Sequence, residues 1–223
     1  MKILECEQGS GEWLKARLGI LTASTLDALV TPEGKLRTGQ GPETYLYRKL
    51  CERLLGFSTE FSGSYDMEQG QVLEREARGW YAFERNLDVR EVGMCLTDDG
   101  RVGASPDGLI GEDGGIEIKC FAPENALRTL LTCDVPKDYV VQVQTSLWVT
   151  GRAWWDFLSY SRQWPAFVLR VEPDAKMQKA IGDAIETFYA KFDPLCARII
   201  AIRDAENSAK EAAYLASGKG GRD

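Results

Sequence analysis

Residues 101–120 read RVGASPDGLIGEDGGIEIKC, a stretch with four carboxylates, one lysine and no histidine. The whole chain contains no histidine, so acid–base or metal chemistry has to rest on carboxylates and lysine. IEIK alternates apolar and charged residues, the pattern of a strand whose side chains point to opposite faces in turn. Ile116 and Ile118 then face a core, and Glu117 and Lys119 share the other face. A hairpin through the glycine-rich segment before them brings SPD alongside, so Asp107 meets Glu117. Two adjacent carboxylates repel, and their burial is costly unless a cation intervenes. Hard oxygen donors without His or Cys select Mg²⁺ or Mn²⁺ over zinc. A lysine beside that cation would orient, or take a proton from, an attacking water. Taken singly, Asp107-Gly108 also reads as a plain turn, and Glu117 with Lys119 as a solvated strand face.

The elements around this stretch follow from periodicity. Residues 11–30 read as a helix, a break at Gly19 and a second helix with Thr22 or Ser24 as its cap. Residues 31–43 form a Gly/Pro-rich loop. A helix over 44–56 turns Tyr45, Leu46, Leu50 and Leu54 inward. Another loop, FSTEFSGS, covers 57–64. A long helix over 66–88 carries Leu73, Ala77, Trp80 and Tyr81 on its apolar stripe. Two hairpins are expected, turning at Asp99-Gly100 and Asp113-Gly114. A helix over 136–151 ends near Gly151, and two strands fall at 153–161 and 166–173. A C-terminal helix with Pro173 at its start is expected to be interrupted at Pro194, resume to residue 216 and fray over 217–223. The expected architecture is α/β (α+β): a central mixed sheet flanked by helices. A single domain, 1–223, has its helical region 173–216 packed on the body.

Composition narrows the class. With 223 residues and 44% apolar content, the chain is long enough for a sizeable core and too apolar for disorder. No apolar run approaches the roughly 18 residues that span a bilayer. No membrane association is expected, and the N-terminus MKILECEQGS lacks the features of a signal peptide, which points to the cytoplasm. The six cysteines are scattered without CxxC spacing and read as reduced thiols. A net charge of −7 argues against a nucleic-acid partner unless basic groups are concentrated locally or metal neutralises the carboxylates.

SPDGL followed by IEIKC resembles the catalytic core of the PD-(D/E)XK nuclease superfamily, which implies a restriction-endonuclease-like core. WLKARLGILTAS, GQVLERE and VQVQTSLWVTG, in that order around it, resemble the phage λ exonuclease-like branch, the YqaJ-type viral recombinases. Together the matching blocks span about residues 7–160. The resemblance implies that Asp107 and Glu117 hold metal, joined by the Ile118 backbone carbonyl and by Glu74 of GQVLE. Lys119 would position and activate the water, and Gln142 would help orient it. Arg17, Ser24 and Ser105 match a pocket for a DNA 5′-phosphate, with the N-terminus of the expected helix beside Ser24 adding N–H donors. Trp13 would stack on a terminal base, and Met67 is the nearest match to an apolar wedge that splits the duplex.

The activity so implied is two-Mg²⁺ hydrolysis (Mn²⁺ substituting) of one strand of linear double-stranded DNA. Digestion runs 5′ to 3′ to mononucleotides and leaves 3′ tails for a single-strand annealing protein. The resemblance also implies a homotrimeric ring with DNA through its channel, and Lys15, Arg17, Lys35, Arg37, Arg48, Lys49 and Arg53 are candidates for its basic wall. Another PD-(D/E)XK nuclease, of endonuclease or flap type, and a catalytically silent DNA-binding subunit on the same fold are the alternatives.

Overall fold

The computed structural model describes residues 1–58 and 65–216, with side chains at 1–58 and 72–210. Among the described residues nine strands and six α-helices are arranged around two mixed sheets rather than one. The first sheet has the order β1-β4-β5-β2, with β1 Lys2–Leu4, β2 Leu21–Thr22, β4 Met94–Leu96 and β5 Val102–Ala104. The second has the order β3-β6-β7-β8-β9, with β3 Val89–Arg90, β6 Gly108–Ile110, β7 Gly114–Cys120, β8 Trp154–Tyr160 and β9 Phe167–Val171. Within it β7 pairs antiparallel with β6 and parallel with β8.

The alternation along β7 sorts its neighbours. On one face Ile116 and Ile118 join Leu158 of β8 and Ala77 and Tyr81 of α3 (Tyr65–Arg85) in a small core. On the other face lie Gly115, Glu117 and Lys119, paired in register with Trp155, Phe157 and Ser159. Trp155 and Phe157 belong to the main core. That core also takes Val141 and Leu147 from α5 (Lys137–Thr150) and Ile181 and Phe188 from α6 (Ala175–Ala216). β7 therefore runs between two cores, with its charged positions on the α5 side. Gly115 is small for a reason: a Cβ there would lie 2.3 Å from the Trp155 ring.

The structure departs from the sequence expectations at several places. The second hairpin turns at residues 111–113, with Gly111 in the left-handed region at φ +52, and Gly114 already belongs to β7. The segment after Gly19 (φ +68) is not an α-helix but the strand β2 followed by a 3-10 helix, Ala23–Ala28. The 3-10 helix packs mainly on α5, and β2 pairs in parallel with β5, which draws the chain into the sheet. Two elements were not expected: β1, and α4 (Pro123–Thr132), where Pro123 stands in the first turn with its preset φ. In α2 (Gln40–Leu55) Tyr45, Leu46 and Leu50 are buried as expected, but Leu54 is only partly so.

Pro194 does not interrupt α6. Ala190, whose carbonyl loses its helical partner there, is exposed, as is Pro194 itself, so the orphaned group is open to water. α6 packs on α2 and α5, whereas its residues 200–210 are exposed. Residues 59–64 of the expected loop at 57–64, and the expected frayed tail, lie outside the described residues. No described helix is long and apolar enough to cross a membrane.

Placing a methyl group at Gly115 should force the Trp155 ring out of its rotamer or push β7 from β8. Gly115→Ala is expected to lose about 1–3 kcal/mol of stability, read as a lower denaturation midpoint. An unchanged midpoint would show that Trp155 has room to move.

Candidate active site

β6 starts at Gly108, opposite Ile116, and β7 continues beyond that point with nothing from β6 beside it. Asp107 stands at this corner. Its N–H donates to the Ile116 carbonyl at 3.2 Å, and its carboxylate accepts from the Ile118 N–H at 2.5 Å. The side chain thus takes the place of a missing ladder partner. Glu117, next along β7, is only 2% exposed. Its Oε1 accepts from Lys119 Nζ at 2.8 Å and from Gln142 Nε2 of α5 at 2.5 Å. The solvated-face reading of Glu117 is therefore excluded.

Lys119 is held from a second side as well. Its ammonium sits 4.8 Å from the centre of the Tyr139 ring. Tyr139 is packed against Phe121 and Phe157 and lies one turn before Gln142 on α5.

Crowding of like charge marks the electrostatics. Burial, then the charges of Glu117 and Glu74, push the Asp107 carboxyl well above the usual carboxylate range. Burial raises Glu117 as well, against the opposing pull of Lys119. Burial raises Glu74 also, partly offset by Arg78 and Lys119. For Lys119 burial acts downward, but the Glu117 carboxylate outweighs it and holds the ammonium above the usual lysine value. Glu74, on α3, is turned toward Arg78, whose Nη2 donates to it at 2.6 Å. Among the described residues no three acidic or thiol side chains are already gathered closely enough to hold a metal. Donor chemistry nonetheless fits a hard divalent cation: Asp107 and Glu117 side by side, Glu74 near enough to raise Asp107, and no His or thiolate.

A second cluster opens into the same cleft. The Arg17 guanidinium donates to Ser24 Oγ at 3.1 Å and to Ser105 Oγ at 3.4 Å. It lies 4.3 Å from the centre of the Trp13 ring, and the Trp13 Nε1–H donates to Ser105 Oγ at 2.9 Å and to the Gly93 carbonyl at 3.1 Å. Burial lowers Arg17 from the usual arginine value. No carboxylate among the described residues pairs with it. Ser24 is the second residue of the short 3-10 helix, not a cap. A cleft of about 190 Å³ is lined by Trp13, Arg17, Ser24 and Ser105 on one side and by Asp107, Glu117, Lys119 and Gln142 on the other. A larger groove of about 760 Å³, between α2 and α6, holds none of these groups.

Nine of the residues singled out from the sequence thus lie in or beside one cleft, counting Glu74 and excluding Ile118 and Met67. Ile118 lies on β7 between Glu117 and Lys119, and its side chain is in the small core. The side chain of Met67 lies outside the described residues. Lys49 does not belong to any basic wall: it is 6% exposed, with Glu52 Oε2 at 2.9 Å. That carboxylate also accepts from the Gly19 N–H at 3.1 Å.

Sequence reasoning missed four groups. Gln8 donates to the Pro106 carbonyl at 2.8 Å and lines the cleft, without any pattern to mark it. Ser146 also lines the cleft, one helical turn beyond Gln142. Tyr139 and Arg78 lie at helical spacing from Gln142 and Glu74, a signal that was there to be used.

In the metal-free protein Asp107 gives a pH dependence of definite sign. Between the ordinary Asp value and its raised one, the folded chain keeps a proton that the unfolded chain has released, so stability falls as pH rises through that window and stays lower above it. Asp107→Asn should raise the thermal midpoint at neutral pH in chelator and flatten that decline. Calorimetry across pH checks this, and a lower midpoint for the variant would contradict it.

The YqaJ-like viral recombinase domain model matches residues 12–153. An alkaline exonuclease, LHK-Exo, from Laribacter hongkongensis has 32% identity and a TM-score of 0.76, over 89% of this chain and 99% of that one. It has also been solved in complex with dAMP. A phage-related exonuclease from Haemophilus somnus 129PT, 14% identical over 81% of this chain and 96% of that one, shares the fold with a TM-score of 0.61. An uncharacterised protein, R354, of Acanthamoeba polyphaga mimivirus is 33% identical over 172 residues. Those residues cover 70% of this chain and 30% of the mimivirus protein. The chain belongs to the YqaJ-like viral recombinase domain family and has the fold of an alkaline exonuclease.

Proposed function

We propose that this chain is a magnesium-dependent exodeoxyribonuclease that digests one strand of linear double-stranded DNA from its 5′ end to mononucleotides, leaving 3′ single-stranded tails. One observation carries the reading: a half-buried guanidinium, without a carboxylate partner among the described residues, opens into the same cleft as the Asp107–Glu117–Lys119 cluster. A planar guanidinium flanked by two hydroxyls suits a terminal phosphate. With that phosphate on Arg17, Ser24 and Ser105, the nearby phosphodiester of the same strand would lie against the carboxylates. The relative solved with dAMP supports a mononucleotide as product.

Asp107, Glu117 and Glu74, with the Ile118 carbonyl, would hold Mg²⁺. Bound there, the metal supplies charge neutralisation and polarises the scissile phosphate. The protein groups around it have separable tasks. Lys119 is a charged ammonium in the metal-free protein, so it donates hydrogen bonds to a water or a phosphate oxygen; it can accept a proton only once Glu117's charge is balanced elsewhere. Gln142 gives its N–H to Glu117 and keeps its carbonyl oxygen to accept from the attacking water. Trp13 holds Arg17 against one face of its ring, so a terminal base would stack on the opposite face. The homotrimeric ring and the annealing partner follow from the λ exonuclease-like resemblance and belong to the same proposal, as does a cytoplasmic site of action.

The test uses linear duplex DNA with phosphorylated or unphosphorylated 5′ ends, and covalently closed circles. Wild-type protein with Mg²⁺ should release mononucleotides from linear DNA only, and chelator or Asp107→Ala should abolish release. Cut circles would favour an endonuclease, and no release from any substrate a silent subunit. Arg17→Ala should slow digestion of phosphorylated ends by about 10- to 100-fold, the worth of hydrogen bonds to a charged group, with less effect on unphosphorylated ends. Affinity for duplex ends should fall steeply with salt.

A further inference from the structure

The acidic groups of the site come from separate parts of the chain: Glu74 from α3, Asp107 from the connection between β5 and β6, and Glu117 from β7. β7 holds Asp107 through Ile116 and Ile118. No backbone ladder connects α3 to either strand. Beyond the apolar packing of Ala77 and Tyr81 on β7, Arg78 supplies the polar connection among the described residues. Its Nη2 donates to Glu74 Oε1 at 2.6 Å, its Nε donates to the Asp107 backbone carbonyl at 2.7 Å, and its Nη1 lies 2.7 Å from Glu91 Oε2. The side chain is only 11% exposed.

An arginine present only to pair with a carboxylate one turn away does so on the helix surface, where such pairs are worth a few tenths of a kcal/mol. Arg78 is instead sunk between the helix and the Asp107 corner, with each of its nitrogens engaged. Asp107 is fixed through its N–H, its carboxylate and its carbonyl, and the carbonyl contact is the one made by Arg78. The planar fork sets the direction of the Asp107 peptide, and it leaves one oxygen of Glu74 tethered and the other available.

We infer that Arg78 is a positioning residue that sets the spacing between the Glu74 and Asp107 carboxylates, and through it the affinity of the site for a divalent cation, without touching cation or DNA. The inference rests on the metal-dependent nuclease reading above.

Charge and geometry make opposite forecasts. As a mere positive charge beside the carboxylates, Arg78 repels an incoming cation, and its removal would tighten binding. As a fork, its removal loosens the ligand set. Lysine keeps the charge and loses the fork. Arg78→Lys, Arg78→Gln, a control Glu91→Gln and the wild type are each titrated with Mg²⁺ and with Mn²⁺ by calorimetry and by the metal-induced rise in denaturation temperature. Circular dichroism checks folding, and hydrolysis of 5′-phosphorylated duplex is followed against metal concentration.

Both Arg78 variants should bind metal about 10- to 100-fold more weakly, the usual range for losing a group that orients a ligand. Their activity should shift to higher metal concentration, with the preference for phosphorylated ends unchanged. Glu91→Gln should behave as wild type, because Glu91 is the exposed partner. Wild-type affinity in Arg78→Lys, or tighter binding in Arg78→Gln, would overturn the inference. If Arg78→Gln does not fold, Arg78→Lys decides. Wild-type protein that binds Mg²⁺ but digests no DNA would overturn the nuclease reading and leave the calorimetric comparison to judge Arg78. Wild-type protein that binds neither cation overturns both.

Discussion

Where β6 meets Ile116 at Gly108, β7 runs on toward Cys120 with one edge unpaired, and the Asp107 carboxylate closes that edge by accepting the Ile118 N–H. A buried N–H left without a partner costs about 1–3 kcal/mol, so the backbone itself demands an acceptor at this corner. A carboxylate as the acceptor has a second effect. It brings a negative charge beside Glu117, which the alternation of β7 has already turned inward on the α5 side. Unequal strand lengths thus answer a backbone need and, in doing so, place two like charges in contact. Lys119, Gln142 and Arg78 are arranged around that conflict.

The two cores keep the conflict in place. Ile116 and Ile118 anchor β7 against α3, and Trp155 and Phe157 anchor the neighbouring strand against α5. α3 is tied to β8 by a further buried contact, the Tyr81 hydroxyl donating to Asp156 at 2.6 Å, with Arg170 also donating to that carboxylate. Two helices that pack on the second sheet also deliver side chains to its charged region: α3 brings Glu74 and Arg78, and α5 brings Gln142 and Tyr139. The site is therefore built on rigid elements. The Arg17 cluster reaches it through the first sheet, where Ser105, directly after β5, accepts from both Trp13 and Arg17.

Much of this was legible. Residues 116–119 alternate so regularly that the strand, its inward isoleucines and its shared Glu117–Lys119 face follow from the pattern alone, and the helices expected over 44–56, 66–88 and 136–151 correspond to those at 40–55, 65–85 and 137–150. The failures have physical causes. The hairpin turn lies at Gly111 rather than at Asp113-Gly114, because two consecutive glycines were needed in the strand where tryptophan rings of β8 lie over them. The segment after Gly19 is drawn into a parallel pairing with β5, a long-range contact that no local window contains. Lys49 looked like a surface cation and is instead buried against Glu52, since helix periodicity marks the apolar face but not which charges pair beneath it.

The sequence by itself determined the donor chemistry and the local faces. Without histidine, acid–base and metal chemistry falls to carboxylates and lysine, and a period of two puts Glu117 and Lys119 on the same side of a strand. Tertiary structure decided what those groups meet. Arg17, Ser24 and Ser105 are neighbours only because β2 pairs with β5, and Arg78 reaches the Asp107 carbonyl only because α3 packs on β7. The reason is range: strand and helix periods act over a few residues, whereas the approach of a guanidinium to a particular hydroxyl or carbonyl is set by how separate elements bury their apolar faces together.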